Sequence, residues 1–179
     1  LERDRDGMRE ELRDLQQKMN DSEQHARCAN LEILGIPLTP GEDIYMCLEH
    51  ISKVISVLFS KKDISVAHRL RLYSRKHAHP PIVVQFVSRM VRESWLAAAR
   101  HKKGINTTEI SPSLTPGNVY INEQLTPHNK ALLGRARRLV RANKIHFASL
   151  FNGKIIIKPT ENTDSIRVLH MEDLDRYDS

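Results

Sequence analysis

Cysteine is nearly absent from this chain. Cys28 and Cys47 are the two in 179 residues. Two thiols cannot build a disulfide framework, and their spacing fits no metal signature. A reducing compartment is the default for such a sequence, so the expected location is intracellular, cytoplasmic ahead of nuclear. Long apolar runs are also missing. None approaches the roughly 20 residues that span a bilayer, and no membrane insertion is expected. The charged start has no secretory pattern, and a chain beginning at Leu1 is expected to be a piece of a longer one. Aromatic residues reach only 5%, although 40% hydrophobic content is enough for a core. There is no Walker loop, no GxSxG and no paired carboxylate arrangement at a strand end. No catalytic residue is assigned, and an enzyme is not expected. His77 and His79 are spaced like two metal ligands but have no evident third, so neither a metal nor a cofactor is expected.

The most informative absence is of acid. Lys130 to Lys158 holds Lys130, Arg135, Arg137, Arg138, Arg141, Lys144, Lys154 and Lys158 without one Asp or Glu. A folded segment so charged repels itself unless a polyanion or an acidic neighbour compensates. Nucleic acid is the commonest such polyanion, because each neutralised phosphate releases counterions. The formal net charge of +6 is unevenly spread. Residues 61–103 carry eleven Lys and Arg against Asp63 and Glu93, whereas residues 159–179 carry six acids against two bases. Two basic blocks separated by neutral or acidic sequence suggest two surfaces, or two walls of one cleft.

Residues 1–29 read as a polar helix with a sparse apolar seam. Leu1, Met8 and Leu15 repeat at seven, and Leu12 and Met19 form the companion series. That spacing predicts a coiled coil weakened by Arg5 and Ser22, with Met8, Leu12, Leu15 and Met19 as oligomerisation residues. Four heptads are short, so the end of a longer stalk is expected. Strands are predicted over 30–36, 64–70, 82–87 and 119–122, with helices over 43–59 and 88–100. This order is β-α-β-β-α-β, the split pattern of ferredoxin-like folds, which RNA-recognition motifs (RRMs) share. Residues 104–117 read as irregular. Thr126-Pro127 opens a further helix to about Asn143, and Asn152-Gly153 signals a hairpin. A short strand near Ile166 and a helical turn near Met171 complete the chain. The fold class is therefore α+β: a coiled-coil helix (1–29), an RRM-like domain (30–123) and a small basic α+β domain (124–179).

NLEILGIP from Asn30, AHRL at Ala67–Leu70, PPIVVQF at Pro80–Phe86 and LAAAR at Leu96–Arg100 resemble the RNA-recognition-like domain of the first open-reading-frame protein of LINE-type retrotransposons. VYINEQLTPHNKALLGRARRL at Val119–Leu139, with FNGKIIIKP and the MEDLD tail, resembles the C-terminal domain of the baculovirus few-polyhedra (FP) protein family. The resemblance implies an oligomer that binds single-stranded nucleic acid with little sequence preference and acts as an annealing chaperone. The viral branch is instead associated with capsid and occlusion phenotypes. Arg100 matches the arginine ending the AAR motif, and Arg137 and Arg138 match the paired arginines of the C-terminal helix. Gln85 stands where a basic residue is often found, which removes one expected phosphate contact.

The expected nucleic-acid-binding residues are Arg69, Arg71, Arg75, Arg100, Lys102, Arg135, Arg137, Arg138 and Arg141. Arg69, Arg71 and Arg75 flank a loop that could clamp a backbone. Arg100 and Lys102 end a helix, where cations also complement the dipole. Arg135, Arg137, Arg138 and Arg141 lie on a helix whose packing side is Leu132, Leu133, Leu139 and Val140. Arginine suits phosphate because its planar fork donates twice. The ordinary alternatives are a solvated face or pairing with the acidic tail. The PIVVQFVS strand lacks the stacking signature of RNA-recognition motifs, so Phe86 and Trp95 are expected in the core. Tyr73, Phe147 and Phe151 remain as stacking candidates, with packing or plain surface the ordinary role of each. The expectation is an oligomeric binder of single-stranded nucleic acid, RNA ahead of DNA, that grips phosphates in a basic cleft with Arg137, Arg138 and Arg141 on one wall and Arg69, Arg71 and Arg100 on the other. The rival is a viral structural or trafficking adaptor acting through protein contacts.

Overall fold

The computed structural model describes residues 1–71 and 79–179. In chain order its elements are helix α1 (Glu2–His25), strand β1 (Asn30–Leu34), helix α2 (Ile44–Ile55), strands β2 (Ile64–Arg69) and β3 (Ile82–Phe86), and helix α3 (Arg89–Lys102). There follow strand β4 (Ile105–Asn106), helix α4 (Thr107–Ile110), strand β5 (Asn118–Glu123), helix α5 (Pro127–Arg141) and strands β6 (Phe147–Phe151), β7 (Lys154–Lys158) and β8 (Ile166–Val168). A 3-10 helix, Met171–Tyr177, comes last. Mixed helices and antiparallel sheets make this an α+β chain. The described residues form two units. One is Cys28–Gln124, and the other joins Leu1–Arg27 to Leu125–Ser179.

In the middle unit, burial alternates cleanly along β5, whereas β1 and β3 bury consecutive residues; the side chains that enter the core mark the sheet face that meets the helices. Leu31 and Ile33 of β1, Val84 and Phe86 of β3, and Val119 and Ile121 of β5 enter one core with Leu48 and Ile51 of α2 and Trp95 of α3. The strand order is β2-β3-β1-β5-β4, and every neighbouring pair is antiparallel. Both long helices start at side-chain caps. An Asp43 oxygen accepts from the Met46 amide at 3.2 Å, and the Ser88 hydroxyl accepts from the Val91 amide at 3.3 Å. Each cap satisfies a donor that the first helical turn leaves open. Phe86 and Trp95 meet with ring centroids 5.3 Å apart, as their expected core role requires. Gly35 has φ +92°, and its backbone approaches the Asn118 carbonyl so closely that a Cβ would collide with it.

The segment read as irregular contains β4 and α4. Asn106 accepts from the Thr108 amide at 3.0 Å, and the buried Thr107 hydroxyl donates to the Thr115 carbonyl at 2.7 Å. Local side-chain to backbone bonds build this stretch, which is why apolar periodicity does not show it.

In the other unit, Thr126 caps α5 by accepting from the Asn129 amide at 3.1 Å, with Pro127 in the first turn. Leu132, Leu133, Ala136 and Leu139 face a core completed by Ile155 and Ile157 of β7, Val168 of β8 and Leu174 of the final 3-10 helix. The sheet order is β6-β7-β8, antiparallel throughout. Asn152 (φ 48°) and Gly153 (φ 75°) both have the positive φ that a two-residue hairpin turn of type I′ demands. Helix α1 buries no residue and belongs to this unit through polar contacts. Asn20 donates to the Asn129 side chain at 3.0 Å and accepts from the Thr126 hydroxyl at 2.7 Å. Gln24 accepts from the Thr126 amide at 2.9 Å and from the Asn129 amide group at 3.0 Å. Its side chain lies against Gly153, in space a Cβ would need. Asp21 pairs with Arg167 at 3.1 Å. Among the described residues, no helix is long and apolar enough to cross a membrane.

Candidate nucleic-acid interface

Helix α5 sorts its residues by its own geometry. With Leu132, Leu133, Ala136 and Leu139 turned to the core, residues 137, 138 and 141 fall on the opposite side. Arg137, Arg138 and Arg141 are all exposed there. Among the described residues none of the three forms an ion pair, so their charge is neutralised only by solvent and counterions. Lys144 lies just past the helix end and donates to the Ser179 carbonyl at 3.2 Å. Lys154, also exposed, opens β7.

Arg135 departs from this group. It donates to the Met171 carbonyl at 2.6 Å, to Asp175 at 2.8 Å and to Asp178 at 2.7 Å. Its side chain is only 16% exposed. Hydrogen bonds from Asp178 and then Asp175 push its pKa above the ordinary guanidinium value. The acidic tail thus takes up one of the expected phosphate ligands, and Arg135 is withdrawn from the candidate interface.

Arg69 is withdrawn for a similar reason. Its Nε and Nη2 grip Glu42 at 3.0 and 2.8 Å, and its remaining bonds go to the carbonyls of Ile36, Pro37 and Pro80 at 2.8, 3.2 and 2.6 Å. All five guanidinium donors are used, and the side chain is 11% exposed. Arg69 ties the end of β2 to the loop after β1. It has no donor left for a phosphate.

The other expected ligands divide as follows. Arg71 is exposed just after β2. Arg75 lies outside the described residues, as do Tyr73 and His77. Arg100 and Lys102 share the last turn of α3. Arg100 is exposed, and Lys102 forms an exposed pair with Glu109 at 3.3 Å, a contact of the kind worth about 0–1 kcal/mol. The seam of α1 is open to solvent, with Met8 70%, Leu12 56%, Leu15 62% and Met19 58% exposed.

Several residues were not anticipated. Arg92 of α3 pairs with Glu123 of β5 at 3.0 Å, both buried. The signal was present, since 92 shares the helical face of Trp95, Leu96 and Ala99. Asn129 is the buried hub between α1, α5 and the Gly153 carbonyl, to which it donates at 3.2 Å. No local pattern marks it. Tyr120 is exposed on β5, on the sheet side opposite Val119 and Ile121. That face therefore presents an aromatic, although the strand signature for stacking is missing. Burial pushes the Cys47 thiol up to about 11, with Arg69 lowering it and Glu42 raising it. It stays protonated at neutral pH and is a poor nucleophile or ligand there. Among the described residues, no group of three His, Cys, Asp or Glu could hold a metal ion.

Residues 126–178 match the family model described as Baculovirus FP protein domain 2. The matched stretch begins at the cap of α5, includes β6, β7 and β8, and ends beyond the final 3-10 helix. This part of the chain is similar to that domain. No curated protein matches the chain.

Proposed function

We propose that this chain is a non-enzymatic, self-associating protein that binds single-stranded nucleic acid, RNA ahead of DNA, through phosphate contacts. One observation carries the reading. Arg137, Arg138 and Arg141 share the outer face of α5, exposed and without an acidic partner among the described residues, while Arg135 on the same helix has two. Three unpaired arginines on one rigid helix are costly to the folded chain by self-repulsion unless a polyanion meets them. In support of the reading, the middle unit orders its strands β2-β3-β1-β5 and packs α2 and α3 against them, an arrangement compatible with the RRM-like domain proposed for it. Among the described residues, Arg71 and Arg100 are the exposed arginines it offers of those expected from sequence.

Self-association follows from α1. A 24-residue helix that buries no side chain lacks the packed apolar face that gives most protein helices their stability. Arg13, Asn20, Asp21 and Gln24, which meet the C-terminal segment, lie about 150° round the helix from Met8, Leu12, Leu15 and Met19. The chain thus covers one side of its own helix and leaves the heptad seam for a coiled coil. Several weak basic faces on one oligomer would bind tightly through avidity.

The test is binding of the full chain to a labelled single strand of about 30 nucleotides across a salt series. Submicromolar affinity with a steep negative slope of log K against log salt is expected. Replacing Arg137 and Arg138 together by Ala should weaken binding at least about tenfold and flatten the slope by roughly two. The melting temperature should not fall. Unchanged affinity sinks the α5 site. No binding at low salt would favour the adaptor reading, in which the exposed seam and basic face engage protein.

A further inference from the structure

The outer face of the three-stranded sheet carries a pattern that phosphate contacts alone do not use. Ala148 and Leu150 of β6 pack on the core, so Phe147, Ser149 and Phe151 point the other way. The two phenylalanines are 54% and 64% exposed. In the β6–β7 register, Phe147 is directly opposite Lys158 and Phe151 directly opposite Lys154. Opposite residues share a face with Cβ atoms about 5 Å apart. Each exposed ring therefore has an ammonium group within reach beside it.

We propose that this face is a base-stacking platform for single-stranded nucleic acid, with Phe147 and Phe151 stacking on bases and Lys158 and Lys154 meeting the adjoining phosphates. The inference rests on the single-strand reading above and adds to it a means of telling single strand from duplex. Non-specific single-strand binders combine a cationic track with aromatic rings, because every base has a π-face. A duplex keeps those faces within its stack and presents only phosphates to the same sheet. The two rings are four residues apart on one strand, about 13 Å. They would take separate bases rather than sandwich one. Charge favours this occupant over an apolar peptide, since both aromatics are flanked by cations within a segment that has no acid from 130 to 158.

The experiment uses the full chain, a labelled single-stranded RNA of mixed sequence of about 30 nucleotides, and a duplex of equal length. With Phe147→Ala and Phe151→Ala combined, single-strand affinity should fall at least about tenfold. The salt slope should stay as in the wild type, because no charge is lost, and duplex affinity should not change. Phe147→Tyr with Phe151→Tyr should restore single-strand binding. Single-strand affinity within about twofold of wild type, or an equal loss on both probes, overturns the platform. If the alanine pair binds normally while the Arg137, Arg138 variant does not, the phosphate reading stands and the platform falls. If the wild type binds no single strand at low salt, both fall together. If the alanine pair instead changes the oligomeric mass, the face is a contact between copies, and the platform is overturned.

Discussion

Arg69 and Arg137 both sit in basic blocks, yet they meet opposite circumstances. The first spends five donors on Glu42 and three carbonyls, and the second is exposed on α5. Arg69→Ala should therefore act on stability and not on binding. It leaves the Glu42 carboxylate and three carbonyls poorly solvated, for a loss of about 3 kcal/mol. The expected readout is a lower denaturant midpoint at an unchanged slope m. Measured on the folded variant, affinity for a single strand and its salt dependence should match the wild type. A loss of salt slope without loss of stability would return Arg69 to the interface. The charge alone does not separate these two arginines. What separates them is whether a carboxylate and carbonyls converge on the guanidinium, and Glu42 is 27 residues away.

Helix α1 joins its neighbours by an unusual route, with amides and hydroxyls where most helices use an apolar stripe. Asn129 bonds Asn20, Gln24 and Gly153 at once while buried. Replacing it with Ala should cost about 2–3 kcal/mol by leaving buried partners unpaired. Hydrogen exchange should show lost protection in the last turns of α1 with little change in β1 or β3. Uniform loss across the chain would mean that Asn129 matters only to global stability. At this scale the sequence was informative wherever period or cap chemistry acts locally. Asp43, Ser88 and Thr126 announced their helices, and Asn152-Gly153 announced its hairpin. Where the partner is remote it left the choice open, since phosphate binding, a solvated face and pairing with the acidic tail were all readings of the α5 arginines. Arg135 meets acids 40 and 43 residues on, beyond any window in which acids and bases are counted. Of the candidate site, the α5 stripe was visible because it needs only helical spacing. The sheet-face pairing of Phe147 with Lys158 needed the register as well, which the hairpin signal implied without assigning sides.

For the whole molecule, the exposed seam should set assembly. Leu12→Glu combined with Leu15→Glu places charge at two core positions of the expected coiled coil. Sedimentation should then show a monomer where the wild type is larger, with both folded units intact by circular dichroism. Affinity for a long single strand should fall by about two orders of magnitude as avidity is lost. A wild-type monomer would end the stalk reading. The chain's two ends belong to one unit, with contacts such as Asp21 to Arg167 spanning 146 residues. Everything between is an insertion. Its first and last strands are neighbours, with Leu31 opposite Glu123 and the Asn30 side chain donating to Gln124 at 2.8 Å. The backbone therefore departs and returns through points roughly 5 Å apart. A gap that narrow can be closed by a few residues. The middle unit can then be treated as a cassette: with residues 28–124 replaced by a short linker, α5 and the β6-β7-β8 sheet should still fold, as circular dichroism and hydrogen exchange would check.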